Sequence, residues 1–311
     1  MIARQGWAST AGRIAMKPLM PIATDGPSWR SGRFLSGLYR LGHPLPTFAT
    51  AAAVVLFVAT ARNGRAPYVD LFVAFLVFYL LLYSIGAMND YCDEAVDRAS
   101  GRPEKPLVAG DVPRRAALVA WLGAAALSVV AALYFNFAAA AMIIPLWLAG
   151  LAYNFWAKAT VVSWLPFVFF YPSLPIWAFI AEGAFTPALL LAYPLLALLA
   201  AALNIANTLP DVERDRLVGV DGLTHRLGIR RGLRLLWILL GGTIILMALT
   251  LLLGRNDVRV LGAGLVAGTV LLCIMIVDGL FIASPSSLRR SYYLSILCAI
   301  TLGYAWIASV L

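Results

Sequence analysis

Two segments of this chain carry the same arrangement of oxygen-bearing side chains. Asn89, Asp93 and Asp97 recur every four residues, and so do Asn207, Asp211 and Asp215. Around them runs a shared pattern, N-x3-D-x3-D-R-x2-G, from Asn89 to Gly101 and from Asn207 to Gly219, at a constant offset of 118 residues. A four-residue step puts each triplet on one helical face, one carboxylate per turn. Like charges one turn apart cost a few tenths of a kcal/mol per pair. An aspartate at the centre of a membrane helix costs about 2.5–3.5 kcal/mol, and less near the interface. One such carboxylate reads as a solvated loop charge, but two clusters of matched spacing call for a cation. Carboxylate and amide oxygens without His or Cys suit Mg²⁺, or Mn²⁺ in its place. Mg²⁺ keeps waters and is completed by phosphate oxygens, so the pattern points to a metal-bridged polyphosphate site. Neither histidine fits such a ligand set: His43 stands before Pro44, and His225 lies among basic residues.

The elements that must position these residues are membrane helices. The chain has 311 residues, 62% hydrophobic and 13% charged, with a mean hydropathy of +0.85. A soluble domain carries about 25% charged residues. Apolar stretches of about twenty residues, enough to cross a bilayer as helices, recur from residue 44 onward. They predict an all-α polytopic membrane protein of nine spans, over 44–62, 68–88, 115–134, 136–157, 162–181, 186–208, 232–254, 258–283 and 291–311. With nine spans and the N-terminus inside, the inside segments hold 20 of the 24 Lys and Arg residues, leaving Arg62, Arg65, Arg255 and Arg259 outside. That asymmetry is the positive-inside signal. The net charge of +9 then reports topology and attraction to anionic lipid of the bilayer. No nucleic-acid recognition motif is present, and the basic residues are spread along juxtamembrane loops, so nucleic acid is set aside as a partner.

Residues 1–30 read as a disordered basic tail, with no apolar core and cleavage site of a signal peptide. The stretch from Ser31 to Leu41, with Phe34, Leu38 and Leu41 in a stripe, reads either as a short helix on the inner membrane surface or as the start of the first span. Residues 31–311 read as one transmembrane domain. Cys92, Cys273 and Cys298 show no metal-ligand spacing and are taken as packing residues. The two inside segments that carry the motifs hold ten of the 15 acidic residues. The offset between motifs contains four spans, so the halves run parallel and both motifs lie at one surface.

At these residues the chain resembles the UbiA superfamily of intramembrane prenyltransferases. The family's first signature corresponds to Asn89 through Asp97, continued by Arg102-Pro103-Glu104-Lys105-Pro106 and a small-residue turn to Gly110. Its second corresponds to Asp211, Asp215, Gly219, Thr224, Leu227 and Gly228, and a Tyr-x4-Lys feature to Tyr153 and Lys158. The resemblance covers essentially everything after residue 40. It implies nine helices around a central cavity capped by both motifs at the cytoplasmic face, in a bacterial inner membrane. It also implies Mg²⁺-dependent transfer of a prenyl group from an isoprenyl diphosphate to an aromatic acceptor.

On that basis Asp93, Asp97, Asp211 and Asp215 are expected to hold the metal, with Asn89, Asn207 and Asp90 as further ligands or beside it. Lys158, Arg102, Lys105 and Arg226 are expected at the diphosphate, and Tyr153 and Asn154 along the site. Arg98 and Arg216 either pair with the acid clusters or form plain helix-end salt bridges. Tyr79, Tyr83, Phe167, Phe170, Tyr171 and Trp177 are candidates for cavity walls. Two departures matter. Arg40-Leu41-Gly42-His43-Pro44 stands where many members carry Arg-Pro, in a region of acceptor contacts. Ala159 follows Lys158 where many have Arg, which shifts the phosphate grip toward Arg102 and Lys105. A terpene cyclase of the same superfamily would use this site without an acceptor, and a relative transfers phosphoribose to a polyprenyl phosphate. An ion-coupled transporter would place its acids near the midplane in inverted repeats, unlike the parallel halves here.

Overall fold

The computed structural model describes residues 32–310 apart from 218, 220, 255, 282 and 283. The expected tail over 1–30 lies outside the described residues. Among them the secondary structure is helical throughout, with no strand. The helices are α1 Gly32–Leu41, α2 Pro44–Ala61, α3 Tyr68–Ala99, α4 Arg114–Ala132, α5 Phe137–Phe155, α6 Leu165–Ala181, α7 Ala192–Thr208, α8 Val212–Leu217, α9 Leu223–Thr250, α10 Val258–Phe281 and α11 Pro285–Val310. Eight spans among the described residues are long and apolar enough to cross a membrane. The expected span over 162–181 is α6, apolar but 17 residues long, roughly 26 Å at 1.5 Å per residue against a hydrocarbon core of about 30 Å.

Consecutive long helices pack on one another, and α11 returns to α2, closing the bundle around an interior. Leu127, Val130, Ile238, Ile245, Val266 and Val277 face outward, as lipid-facing positions should. Inside, the helices are tied by the few polar groups available. Ser84 Oγ donates to the Trp121 carbonyl at 2.7 Å and Ser128 Oγ to the Val77 carbonyl at 2.8 Å, both between α3 and α4. Such bonds join helices where both faces are apolar and hydrophobic burial cannot distinguish partners. Gly42 joins α1 to α2 hard against α3: a Cβ there would meet the Tyr83 ring at 2.2 Å. That ring cannot swing away freely, because its hydroxyl donates to the Leu38 carbonyl at 2.9 Å.

The two ends of the bundle differ. At one end Arg62 pairs with Glu182 at 2.5 Å and the Tyr134 hydroxyl donates to Asp70 at 2.7 Å. The other end collects both acidic motifs with the loops that follow them.

Candidate active site

The first motif forms as its period predicts, because α3 runs 32 residues and carries Asn89, Asp90, Asp93 and Asp97 on its last three turns. The second crosses Pro210, which has no N–H to give the Ala206 carbonyl and so removes one bond of the helical ladder. Helix α7 stops at Thr208, Leu209–Asp211 tightens to a 3-10 turn, and α8 begins at Val212. The backbone stays right-handed helical at Thr208, Leu209 and Val212, and Asn207, Asp211 and Asp215 border one cavity.

Arg102, in the loop after α3, draws the two motifs together. Its guanidinium lies 3.4 Å from Asp97, 2.9 Å from Asp211 and 3.3 Å from Asp215, with 12% of the side chain exposed. Burial pulls the Arg102 pKa down, but the carboxylates of Asp211, Asp97 and Asp215 outweigh it and raise it above its ordinary value, so the cation is secure. Lys158, on the 3-10 turn Ala157–Ala159 after α5, pairs with Asp93. Lys105 reaches Asp90 at 2.6 Å. Asn89 donates to Asn154 at 2.8 Å, and the Tyr153 hydroxyl faces Asn207 and Thr208. Of the expected site residues, Arg226 alone stands apart. It pairs with the exposed Asp221 at 3.0 Å and does not border the cavity described below. Arg98 resolves to the plain alternative, an exposed bond to Glu94 one turn back at 3.2 Å, and Arg216 donates to the His225 carbonyl.

Both histidines, set aside on sequence, belong to the site as partners of aspartates. His43 has φ 48° and ψ 65°, a left-handed conformation uncommon outside glycine, and its Nε2 is 2.9 Å from Asp90 Oδ1. Asp90 is 2% exposed and its Oδ2 is buried without a partner. His225 is also 2% exposed. The backbone N–H of Gly222 donates to His225 Nδ1 at 3.2 Å, and Nε2 lies 3.2 Å from Asp215 Oδ2. An Nδ1 that accepts leaves the proton of neutral imidazole on Nε2, so His225 donates to Asp215 and fixes that carboxylate. No local spacing signals His43, 47 positions from Asp90. His225 had one cue, its place directly after Thr224 of the second signature. Gly228, which closes that signature, interrupts α9 with φ 72° and ψ 171°, a backbone open to glycine.

These groups border a cavity of about 1010 Å³ that contains Asn89, Asp93, Asp97, Asp211, Asp215 and Lys158 in its wall. Below it lies a second chamber of about 190 Å³. Tyr153, Asn154, Asn89, Asn207 and Tyr292 border both. The chamber is walled by Phe167, Phe170 and Tyr171, and a chain of rings runs down it: Tyr153 to Phe167 at 5.1 Å, Phe167 to Tyr171 at 5.6 Å. The other proposed wall residues belong elsewhere. Trp177 is fully buried between Phe78 and Phe135, Tyr79 stacks on Phe75, and Tyr83 packs against Gly42.

The donor set fits a hard cation. Among the described residues no three His, Cys, Asp or Glu side chains gather tightly enough to hold a metal alone. Carboxylates that arrive singly and in pairs, interleaved with Arg102 and Lys158, suit Mg²⁺ completed by waters and phosphate oxygens. The arrangement can therefore gather a metal–polyphosphate headgroup at the mouth and an apolar, aromatic-lined tail beneath it.

The UbiA prenyltransferase family model matches residues 47–297. Among solved structures, a UbiA homologue from Archaeoglobus fulgidus bound to GPP and Mg²⁺ is similar at 22% identity and TM-score 0.66, covering 87% of this chain and 99% of that one. An apo UbiA homologue from Aeropyrum pernix K1 is similar at 18% identity and TM-score 0.66, covering 82% of this chain and 96% of that one. A digeranylgeranylglyceryl phosphate synthase is similar at 17% identity and TM-score 0.62, covering 89% and 98%. No curated protein matches the chain.

Proposed function

The chain belongs to the UbiA prenyltransferase family, and from that premise we propose that it moves a prenyl group from an isoprenyl diphosphate to an aromatic acceptor, using Mg²⁺. The observation that carries this reading is Arg102, which joins Asp97 of one motif to Asp211 and Asp215 of the other at 2.9–3.4 Å at the mouth that leads to the aromatic chamber. The Archaeoglobus fulgidus homologue, bound to GPP and Mg²⁺, supports the same pairing of donor and metal. In this reading nine helices span the membrane, α6 included, with the N-terminus inside. The site then faces the cytoplasm, and the positive-inside distribution supports that orientation. A bacterial inner membrane is the setting the reading implies.

Asp93, Asp97, Asp211 and Asp215 would hold the metal, with Asn89, Asn207 and Asp90 beside them. Mg²⁺ bound there would supply Lewis-acid stabilisation of the departing diphosphate. Lys158 offers a compact point charge to a phosphate oxygen and Arg102 a planar two-pronged donor. Lys105 is held against Asp90 and neutralises a carboxylate that is otherwise buried with one orphan oxygen. The allylic group sits beneath, where Tyr153, Phe167 and Tyr292 present ring faces that attract positive charge without capturing it. The enclosure keeps water from the electrophile. His43 borders both the mouth and the chamber, which supports it as a neighbour of the acceptor.

The test is diphosphate release by the purified protein in lipid nanodiscs with geranyl diphosphate and Mg²⁺, with and without panels of phenolic and glycerol-phosphate acceptors. Release that needs a phenolic acceptor and yields a prenylated ring supports the proposal. Release without any acceptor, with a cyclised hydrocarbon as product, replaces transfer by cyclisation. A requirement for glycerol phosphate overturns the aromatic assignment alone.

His225 yields a separate expectation. Its Nε2 holds Asp215, an expected metal ligand, so His225→Ala should raise the Mg²⁺ concentration for half-maximal turnover by about 10- to 100-fold, the usual range for groups that orient metal ligands. A magnesium titration of turnover reads this directly, and an unchanged midpoint would assign His225 to packing.

A further inference from the structure

Beyond the aromatic chamber lies a third, smaller cavity of about 40 Å³. Its wall is aliphatic: Leu174, Leu196, Leu199 and Ile300 border it, with Phe57 and Gly303. Among the described residues, Tyr171 is the one side chain that borders both this cavity and the chamber of about 190 Å³ above it. From the mouth inward, the path therefore runs from polar cavity to aromatic chamber to Tyr171 to aliphatic end.

Tyr171 is held in that position from two sides. Its ring packs on Phe167 at 5.6 Å and on Phe170 at 5.5 Å. Thr50 on α2 borders the same small cavity beside it. Pro175, inside α6, has no N–H to offer the Tyr171 carbonyl four residues back.

We infer that Tyr171 sets the length of isoprenoid this protein accepts, closing the tail chamber after about two to three isoprene units and shutting off the aliphatic cavity behind it. This rests on the prenyl-donor reading above. A water-sized group needs about 10–15 Å³ of such cavity space. About 190 Å³ then holds roughly thirteen to nineteen such groups, a tail of about ten to fifteen carbons and not one of twenty. Removing the ring joins the two spaces into one longer tunnel. Gly303 lies on the far wall, where a Cβ would meet Leu196 and Phe57 only at 3.9 Å, so a side chain can be placed there to refill the space.

The test is binding of isoprenyl thiolodiphosphates of five, ten, fifteen and twenty carbons, measured by titration calorimetry on the full chain in nanodiscs at saturating Mg²⁺. Wild type is expected to bind the ten- and fifteen-carbon analogues best and the twenty-carbon analogue at least ~10-fold more weakly, in the range that misfit of a few methylenes produces. Tyr171→Ala should tighten the twenty-carbon analogue by at least ~10-fold relative to the ten-carbon one, and Tyr171→Ala/Gly303→Leu should reverse that gain. Should Tyr171→Ala fail to fold, Tyr171→Leu carries the same test, since it keeps an apolar side chain without the ring. Wild-type affinity equal at ten and twenty carbons, or a length preference unchanged in these variants, overturns the inference and leaves the donor reading intact. Binding of no analogue at any length overturns both.

Discussion

Asp211→Asn is expected to lower Mg²⁺-dependent turnover on the order of 10³-fold while the protein stays folded, and Asp93→Asn is expected to do the same. Asparagine keeps the size of the side chain and one oxygen but removes the charge that a divalent cation requires. Each motif would contribute to a single headgroup site, so neither can compensate for the other. Losses of about 10²–10³-fold are typical when one group that stabilises developing charge is removed. The expectation sits at the upper end because the substitution also releases a cation: Lys158 loses Asp93, or Arg102 loses one of three carboxylates. The double variant gives the sharper reading. Groups that act as a unit are strongly non-additive, so Asp93→Asn/Asp211→Asn should fall no more than about tenfold below either single variant. Measurement is by diphosphate release at saturating donor and acceptor, with unfolding midpoints of all three variants compared to wild type. Normal magnesium-dependent turnover in either single variant would remove that residue from the site. Strictly multiplicative losses would mean the two motifs serve separate events.

The contrast between the motifs shows what a linear reading can and cannot reach. In the first, the four-residue period lies inside a helix that simply continues, and Asn89, Asp93 and Asp97 come where the period puts them. In the second, the same period crosses Pro210, whose missing N–H removes one bond of the ladder, and a 3-10 turn stands between α7 and α8. The motif remains recognisable because it is defined by spacing, and Asn207, Asp211 and Asp215 still border one cavity. The nine apolar stretches lie within a few residues of the helices at most ends. Helix α3 runs on to Ala99, eleven positions past the expected span, and α9 begins at Leu223, nine positions before it, because hydropathy does not register the polar turns that extend a helix beyond the apolar core. The histidines were beyond reach for another reason. His43 meets Asp90 only because a left-handed residue reverses the chain between α1 and α2, and hydropathy carries no trace of that turn. Aromatic residues were equally ambiguous: Phe167 and Tyr171 border the chamber, while Trp177 in the same helix is core. Which side of α6 faces the interior depends on neighbours that the helix's own sequence does not name.

Arg102 leads to the second large expectation, and its readout is stability rather than rate. A guanidinium with 12% of its side chain exposed, shared by Asp97, Asp211 and Asp215, is the counter-charge that lets two acid clusters approach. Removing one partner from a buried ion pair costs about 3–5 kcal/mol, chiefly because charge is left uncompensated. Asp211 is partly exposed, at 34% of its side chain, so Arg102→Gln is expected at the lower end, about 3 kcal/mol, seen as a fall in unfolding midpoint in a metal-chelated buffer. Magnesium should then act differently on the two proteins. A ligand that binds only the folded state stabilises it by about 2.7 kcal/mol at one hundred times its dissociation constant. In wild type the ion must share the carboxylates with Arg102; in the variant it meets them free. Adding Mg²⁺ should therefore raise the midpoint of Arg102→Gln by more than that of wild type, recovering most of the loss, while donor KM rises because the two-pronged phosphate contact is gone. Arg102→Lys should keep much of the stability and little of the KM, since a point charge balances carboxylates but cannot grip two oxygens in one plane. Equal magnesium shifts in wild type and Arg102→Gln would mean that arginine and metal do not contend for the same oxygens, and the bridge between the motifs would then be structural alone.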